Sequence, residues 1–121
     1  MSHTPPQDPL IQHNTQFAKA IRDFGKVIPM TVANVEDLKE LIRVSGSIGA
    51  KYIQAKQAPS KPIYVQLLAA CQTDTQVTIH WLNLMDTQGS RDLEHRRNQL
   101  IKAADELSRV LLQLIQKGRN G

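Results

Sequence analysis

The spacing of apolar residues constrains this chain more than any other feature. In four successive stretches, apolar side chains recur at steps of three and four residues, the spacing that places them on one face of an α-helix. Neither strand-like alternation nor a repeat of roughly 20–50 residues competes with this pattern. The chain is therefore predicted to be all-α, with helices at about 9–28, 35–57, 62–86 and 91–117.

Helix-stopping and helix-capping residues separate the four stretches. Pro29 stops the first helix, and Gly118 is expected to end the last, where a left-handed residue is commonly needed. The expected caps are Asp8, Asn34, either Ser60 or Lys61, and Ser90. Links of about five residues force neighbouring helices to run antiparallel. The predicted architecture is an up-and-down four-helix bundle, a single domain over 9–118 that follows a disordered lead-in over 1–8.

Composition fits one small domain in a reducing compartment. The 121 residues are 40% hydrophobic and 21% charged, which is enough apolar material for one core. The single cysteine, Cys71, excludes an internal disulfide. Because neither an export signal nor a membrane-spanning apolar run is visible, we expect a cytoplasmic protein with no membrane partner.

The sequence offers little for catalysis, metal binding or a cofactor. The nearest match to a bundle metal site is Asp92-x-x-His95, and His95 falls on the face opposite the helix-four leucines. Cys71 lies within an apolar stripe, where a thiol is usually inert. Gly46 and Gly49 lie inside a helical pattern and do not follow a strand, so they form no phosphate loop. We predict a protein that is not an enzyme and that has no catalytic residues, metal ligands or cofactor.

Small residues in the second helix indicate a close helix contact. A glycine inside a helix costs roughly 1 kcal/mol relative to alanine, so two glycines within four residues indicate a local packing need. The predicted packing motif is Ser45, Gly46, Gly49, Ala50 and Tyr52. Two readings stay open: packing within the bundle, or contact with another subunit.

The third predicted helix has two apolar lines. Beside its main stripe, a second line consists of Ile63, Ala70, Val77, Trp81 and Leu84. Between Pro62 and Met85 only Asp74 is ionised, and the combined apolar arc is wider than a peripheral bundle helix normally buries. The second line, called the outer line below, is predicted to lie in a homo-oligomer interface; the alternative is that its members are scattered surface residues.

The fourth predicted helix carries the candidate nucleic-acid surface. Its basic ridge lies opposite the leucines and consists of Arg91, His95, Lys102 and Arg109, with Arg96 and Arg97 nearby. Such a ridge can neutralise phosphates without reading sequence. The alternative is an ordinary solvated face, because Asp105 and Arg109 have the spacing of a surface ion pair.

Residues 43–55 of the second helix, Arg-Val-Ser-Gly-Ser-Ile-Gly-Ala-Lys-Tyr-Ile-Gln-Ala, resemble a family signature. The chain is similar there to the bacterial four-helix-bundle family encoded within intervening sequences of ribosomal RNA genes, and Trp81-Leu82 matches a later tryptophan-leucine pair. This chain departs from the family pattern at Lys51, where asparagine is usual, at Gln54, where glutamate is usual, and over 73–79, where Asp74 is the only charge.

The resemblance implies a ring-shaped homo-oligomer, often a pentamer, and a loose kinship with the accessory protein of diversity-generating retroelements. Residues and resemblance together predict a non-catalytic, homo-oligomeric adaptor or scaffold. The alternative is a nucleic-acid-binding accessory protein, for example the partner of a reverse transcriptase, that contacts RNA or DNA through the basic ridge.

Overall fold

Four helices account for most of the chain. A computed structural model describes residues 8–120, and 87% of the structure is helical. The helices are α1 (Pro9–Val27), α2 (Val32–Lys56), α3 (Lys61–Leu84) and α4 (Arg91–Asn120), and no strand occurs among the described residues. The all-α prediction is confirmed. Apart from Asp8, the lead-in predicted for residues 1–8 lies outside the described residues.

The helices form a four-cornered bundle. Each helix packs against the helices next to it in the chain, and α1 closes the square against α4, although this last contact is the lightest. Helices α1 and α3 therefore stand at diagonal corners. One broad side of the bundle is made by α2 and α3, and the side across from it is made by α1 and α4.

Three helix starts follow the predicted capping chemistry. The Asp8 carboxylate accepts a hydrogen bond from the Leu10 N–H at 2.9 Å, and Pro9 occupies the first turn of α1. The Ser60 hydroxyl accepts from the Ile63 N–H at 3.4 Å. Ser90 Oγ accepts from the Leu93 N–H at 3.2 Å.

The start of α2 differs from the prediction. The helix begins at Val32, because the Thr31 hydroxyl caps it by accepting from the Asn34 N–H at 3.0 Å. The Asn34 side chain is buried and joins two loops instead. Its amide donates to the carbonyl oxygens of Pro29 and Asp86 at 2.8 and 2.9 Å, and its Oδ1 accepts from the Asp86 N–H at 2.9 Å.

The end of α4 also differs. The helix continues through Gly118 to Asn120, so this glycine does not stop it. A Cβ at position 118 would lie 2.9 Å from Val65 Cγ2 of α3. The glycine therefore serves the close approach of α4 to α3. At the end of α3, the last helical residue is Leu84, and Met85 is a buried cap.

Aliphatic side chains dominate the core, and its buried aromatic rings are Phe17 and Phe24 from α1 and Tyr52 from α2. Each helix contributes residues at the predicted three- and four-residue steps. The apolar residues with at most 1% exposure are Ile21, Phe24, Leu41, Ile48, Ala55, Leu68, Cys71, Leu82, Ala104 and Leu111. No helix within residues 8–120 has the length and apolarity needed to cross a membrane.

Candidate functional site

The outer line of α3 is only partly covered by its own chain. Ile63 is 41% exposed and Leu84 is 48% exposed, at opposite ends of the helix. Between them, Ala70, Val77 and Trp81 are half-buried. The structure thus brings all five members onto one flank of α3, while the main stripe of that helix is buried in the core.

Trp81 is the largest member of the outer line. Its ring packs against the core and meets His80 edge-on, with 5.1 Å between ring centroids. The indole Nε1–H is buried and has no acceptor among the described residues. An unpaired buried donor costs about 1–3 kcal/mol, so this position of the indole is unfavourable for its N–H.

An ion pair shows which flank of α3 carries the outer line. Asp74 is one helical turn from Ala70 and Val77 and two turns from Trp81, so it shares their flank. Its carboxylate lies 2.9 Å from Lys51 Nζ of α2. The outer line therefore belongs to the α2–α3 side of the bundle. The same contact gives Lys51 a partner on α3.

The small-residue motif of α2 mainly serves contact with α1. A Cβ on Gly49 would lie 3.4 Å from the Asn14 Cβ, so this glycine faces α1 directly. Ser45 is buried and donates to the Ile42 carbonyl at 3.2 Å. Gly46 lies beside an α1 arginine, whereas Ala50 is exposed. Of the two readings left open by the sequence, this placement favours packing within the bundle.

Tyr52, the last member of the motif, fastens the start of α1 to α2. Its hydroxyl donates to Asp8 Oδ2 at 2.5 Å, and Lys56 Nζ lies 3.5 Å from the same oxygen. The hydrogen bond from Tyr52 is the main reason that the pKa of Asp8 lies below its ordinary value. Burial, and then the bond to Asp8, raise the pKa of Tyr52. Asp8, Tyr52 and Lys56 are called the α1 clasp below.

A groove that the sequence does not predict lies at the α1–α4 seam and also reaches side chains of α2 and α3. It has a volume of about 790 Å³, within the range of about 300–1,000 Å³ found for ligand sites. Its lining residues are Asp8, Pro9, Leu10, Gln12, His13, Gln16, Tyr52, Lys56, Tyr64, Glu106, Leu107, Val110 and Leu114. On α1 the groove is lined by the polar side chains of Gln12, His13 and Gln16, and no sequence signal marks it, because its existence depends on the distance between two helices.

Of the six basic residues predicted for the surface of α4, four are exposed and two are half-buried. Arg91, His95, Lys102 and Arg109 are exposed, but Arg109 Nη2 lies 2.9 Å from Asp105 Oδ2, as the i,i+4 spacing predicted. Two nearby arginines turn away from the ridge. Arg97 is half-buried and donates to the Met85 carbonyl at 3.2 Å. Arg96 is half-buried in a cleft of about 230 Å³ beside Asp23, Phe24 and Leu100.

The lone thiol is buried. Cys71 is 0% exposed and lies 3.6 Å from the Ile48 carbonyl as a weak donor. Burial, and next the charge of Asp74, raise the pKa of Cys71 to about 11, so the reactive thiolate is disfavoured at neutral pH. Within residues 8–120, no three His, Cys, Asp or Glu side chains are placed to share a metal ion.

Comparison with known proteins adds no assignment: no family model, no curated protein and no solved structure matches the chain.

Proposed function

We propose that this protein is a non-catalytic scaffold or adaptor that works as a homo-oligomer, with the outer line of α3 in its subunit contact. The observation that carries the proposal is the apolar flank from Ile63 to Leu84, which the bundle leaves partly uncovered. Ile63 and Leu84 are exposed positions where a charged residue would cost little in a monomer, yet both are apolar.

Burial of this flank supports association. Covering one large aliphatic side chain fully is worth roughly 1.5–3 kcal/mol, and both Ile63 and Leu84 keep over a third of their surface. In a cyclic assembly the same contact repeats at every interface. A ring is the form that the family resemblance leads us to expect.

Light scattering tests this proposal. Val77→Glu with Leu84→Lys places two charges in the outer line, and we expect smaller particles that keep the helical circular dichroism of the wild type. If the double variant keeps the wild-type mass, the outer line is not the contact. If it unfolds, these two residues belong to the core.

A second candidate is a nucleic-acid-binding accessory protein that uses the basic ridge. The observation in its favour is that Arg91 and Lys102 are exposed and form no ion pair with another described residue. Lysines and arginines so placed can contact phosphates, and such contacts weaken as salt rises.

Charge-reversal substitutions test whether the basic ridge binds nucleic acid or is only exposed to solvent. Arg91→Glu with Lys102→Glu and Arg109→Glu is expected to fold normally and to bind duplex RNA or DNA far more weakly than wild type. Wild-type binding that is independent of salt, or equal binding by the triple variant, would remove the ridge from consideration.

A further inference from the structure

We propose that the α1–α4 groove binds a small organic cation, a protonated amine carried on an apolar body. This inference goes beyond the proposed scaffold and does not depend on how many copies assemble. The groove combines an apolar wall with a carboxylate that has no partner among the described residues, and an amphipathic amine has the chemistry that complements both features.

The apolar wall of the groove comes mainly from α1 and α4. Leu10 of α1 and Leu107, Val110 and Leu114 of α4 line it. Val110 is 41% exposed, whereas Leu107, one turn earlier, is buried. The groove therefore offers apolar surface that a ligand would cover, and covering such surface is favourable.

The charge of the groove is opposite in sign to that of the whole chain. The chain has a formal net charge of +4, but the groove is lined by two carboxylates, those of Asp8 and Glu106, and by one ammonium, that of Lys56. With His13 counted as neutral, as it is in the total for the chain, one negative charge is left over. The groove therefore favours a cation over an anion.

Glu106 is the carboxylate that is left for a ligand. Asp8 has the Lys56 ammonium at 3.5 Å and accepts the hydrogen bond from Tyr52, so its charge is already compensated. Glu106 is exposed and forms no ion pair with another residue in 8–120, although Lys102 lies at a spacing that allows one. An incoming ammonium would therefore pair with Glu106.

Tyr64 brings an aromatic ring to the same groove. The residue is half-buried and lies against the end of α4, since a Cβ at Gly118 would be 3.7 Å from Tyr64 Cε2. Aromatic rings attract organic cations. A metal ion would need several oxygen or nitrogen ligands, and no three His, Cys, Asp or Glu side chains within residues 8–120 are placed to share one. The lining thus favours an organic cation.

Methyl NMR of the full chain tests the assignment, because leucine and valine form most of the apolar wall. The probes are phenethylammonium, hydrocinnamate and phenethyl alcohol, which share an aromatic body and differ in charge. We expect the amine to shift the methyl signals of Leu10, Leu107 and Val110 and to leave those of Val77 and Leu84 unchanged. Hydrocinnamate is expected to bind about tenfold more weakly than the amine, and binding of the amine should weaken as salt rises.

Substitution of Glu106 tests the role of its charge. Glu106→Gln, at an exposed position, is expected to keep the fold, to weaken amine binding about threefold and to leave binding of the alcohol unchanged. Glu106→Lys is expected to reverse the preference, so that hydrocinnamate binds more tightly than the amine. Asp105→Asn is the matched control, because it removes one negative charge from α4 outside the groove, and it is expected to bind the amine as the wild type does.

Three results would overturn the assignment. Groove methyl signals that stay fixed at all amine concentrations would show that no amine binds there. Equal binding of the three probes, or equal losses in Glu106→Gln and Asp105→Asn, would show that the Glu106 charge does not select the ligand. An amine that lowers the particle mass by light scattering would show that a second copy occupies the groove. Each of these results leaves the outer line of α3 to its own test.

Discussion

The two broad sides of the bundle share one architecture and differ in how they are filled. On the α2–α3 side, Cys71 is fully buried with its thiol 3.6 Å from the Ile48 carbonyl of α2, and the Lys51–Asp74 pair spans the seam at 2.9 Å. On the α1–α4 side, a groove of about 790 Å³ and a smaller cleft of about 230 Å³ lie along the seam. The same helical pattern thus produces one closed seam and one open seam.

The difference arises from α1. This helix has 19 residues, against 30 in α4, and it presents glutamine and histidine side chains to α4. It is held from the α2 side instead, by the α1 clasp and by the contact of Gly49 with Asn14. The α2–α3 contact is therefore expected to contribute more to stability than the α1–α4 contact.

Truncation of one core residue and of one residue in the open seam gives the largest expected contrast in stability. Leu68→Ala in the core is expected to cost about 2–5 kcal/mol of unfolding free energy, because it leaves a cavity at a fully buried site of α3. Val110→Ala in the open seam is expected to cost less than about 1 kcal/mol. Urea unfolding at matched protein concentration measures both, and equal losses would contradict the contrast.

Breaking the Lys51–Asp74 ion pair of the α2–α3 seam is expected to give the next largest loss of unfolding free energy. Lys51→Met leaves the Asp74 carboxylate without its partner and is expected to cost about 1–3 kcal/mol, below the cost for a fully buried pair because Lys51 is partly solvated. Asp74→Asn is the matched control and is expected to cost less, since Lys51 can turn toward water. A double-mutant cycle in urea measures the coupling; additive losses would show that the pair contributes nothing.

A substitution of Asn14, in the α1–α2 contact, is expected to raise the free energy of unfolding, whereas the preceding substitutions lower it. Its side chain is 2% exposed, and neither amide atom has a hydrogen-bond partner among the described residues. Asn14→Leu has a similar shape and removes the unpaired polar atoms, so we expect a gain of about 1 kcal/mol. Asn14→Asp is the control and is expected to destabilise. A loss of stability in the leucine variant would mean that the amide is satisfied in solution.

The α1 clasp is expected to make the smallest contribution to stability, and that contribution depends on pH. Because the folded pKa of Asp8 is lowered, its contribution is fully present above the ordinary value of 3.8 and is lost as pH falls through the lower folded value. Asp8→Asn and Tyr52→Phe should each weaken that acid dependence. Urea midpoints measured from pH 2 to pH 6 check this; variants that keep the wild-type slope would show that the clasp does not form.

The sequence predicts the fold well because helix periodicity and capping are local. It misplaces the ends of helices where a tertiary contact uses the residue differently: Asn34 joins two loops, and Gly118 lets α4 approach α3. The α1–α4 groove was missed because its existence depends on the separation of two helices. Arg96 and Arg97 were assigned to the basic ridge from sequence proximity, although tertiary packing turns them elsewhere.

Trp81 provides the most direct measurement of the central claim, which is that the outer line is covered by another copy. It is the only tryptophan in the chain and is half-buried within one bundle. Its emission should move to shorter wavelength, and acrylamide quenching should fall, as wild-type concentration rises through the assembly range. The double variant Val77→Glu with Leu84→Lys should keep the spectrum of the dilute protein. Emission and quenching that stay constant at every concentration, with a constant monomer mass, would contradict the account.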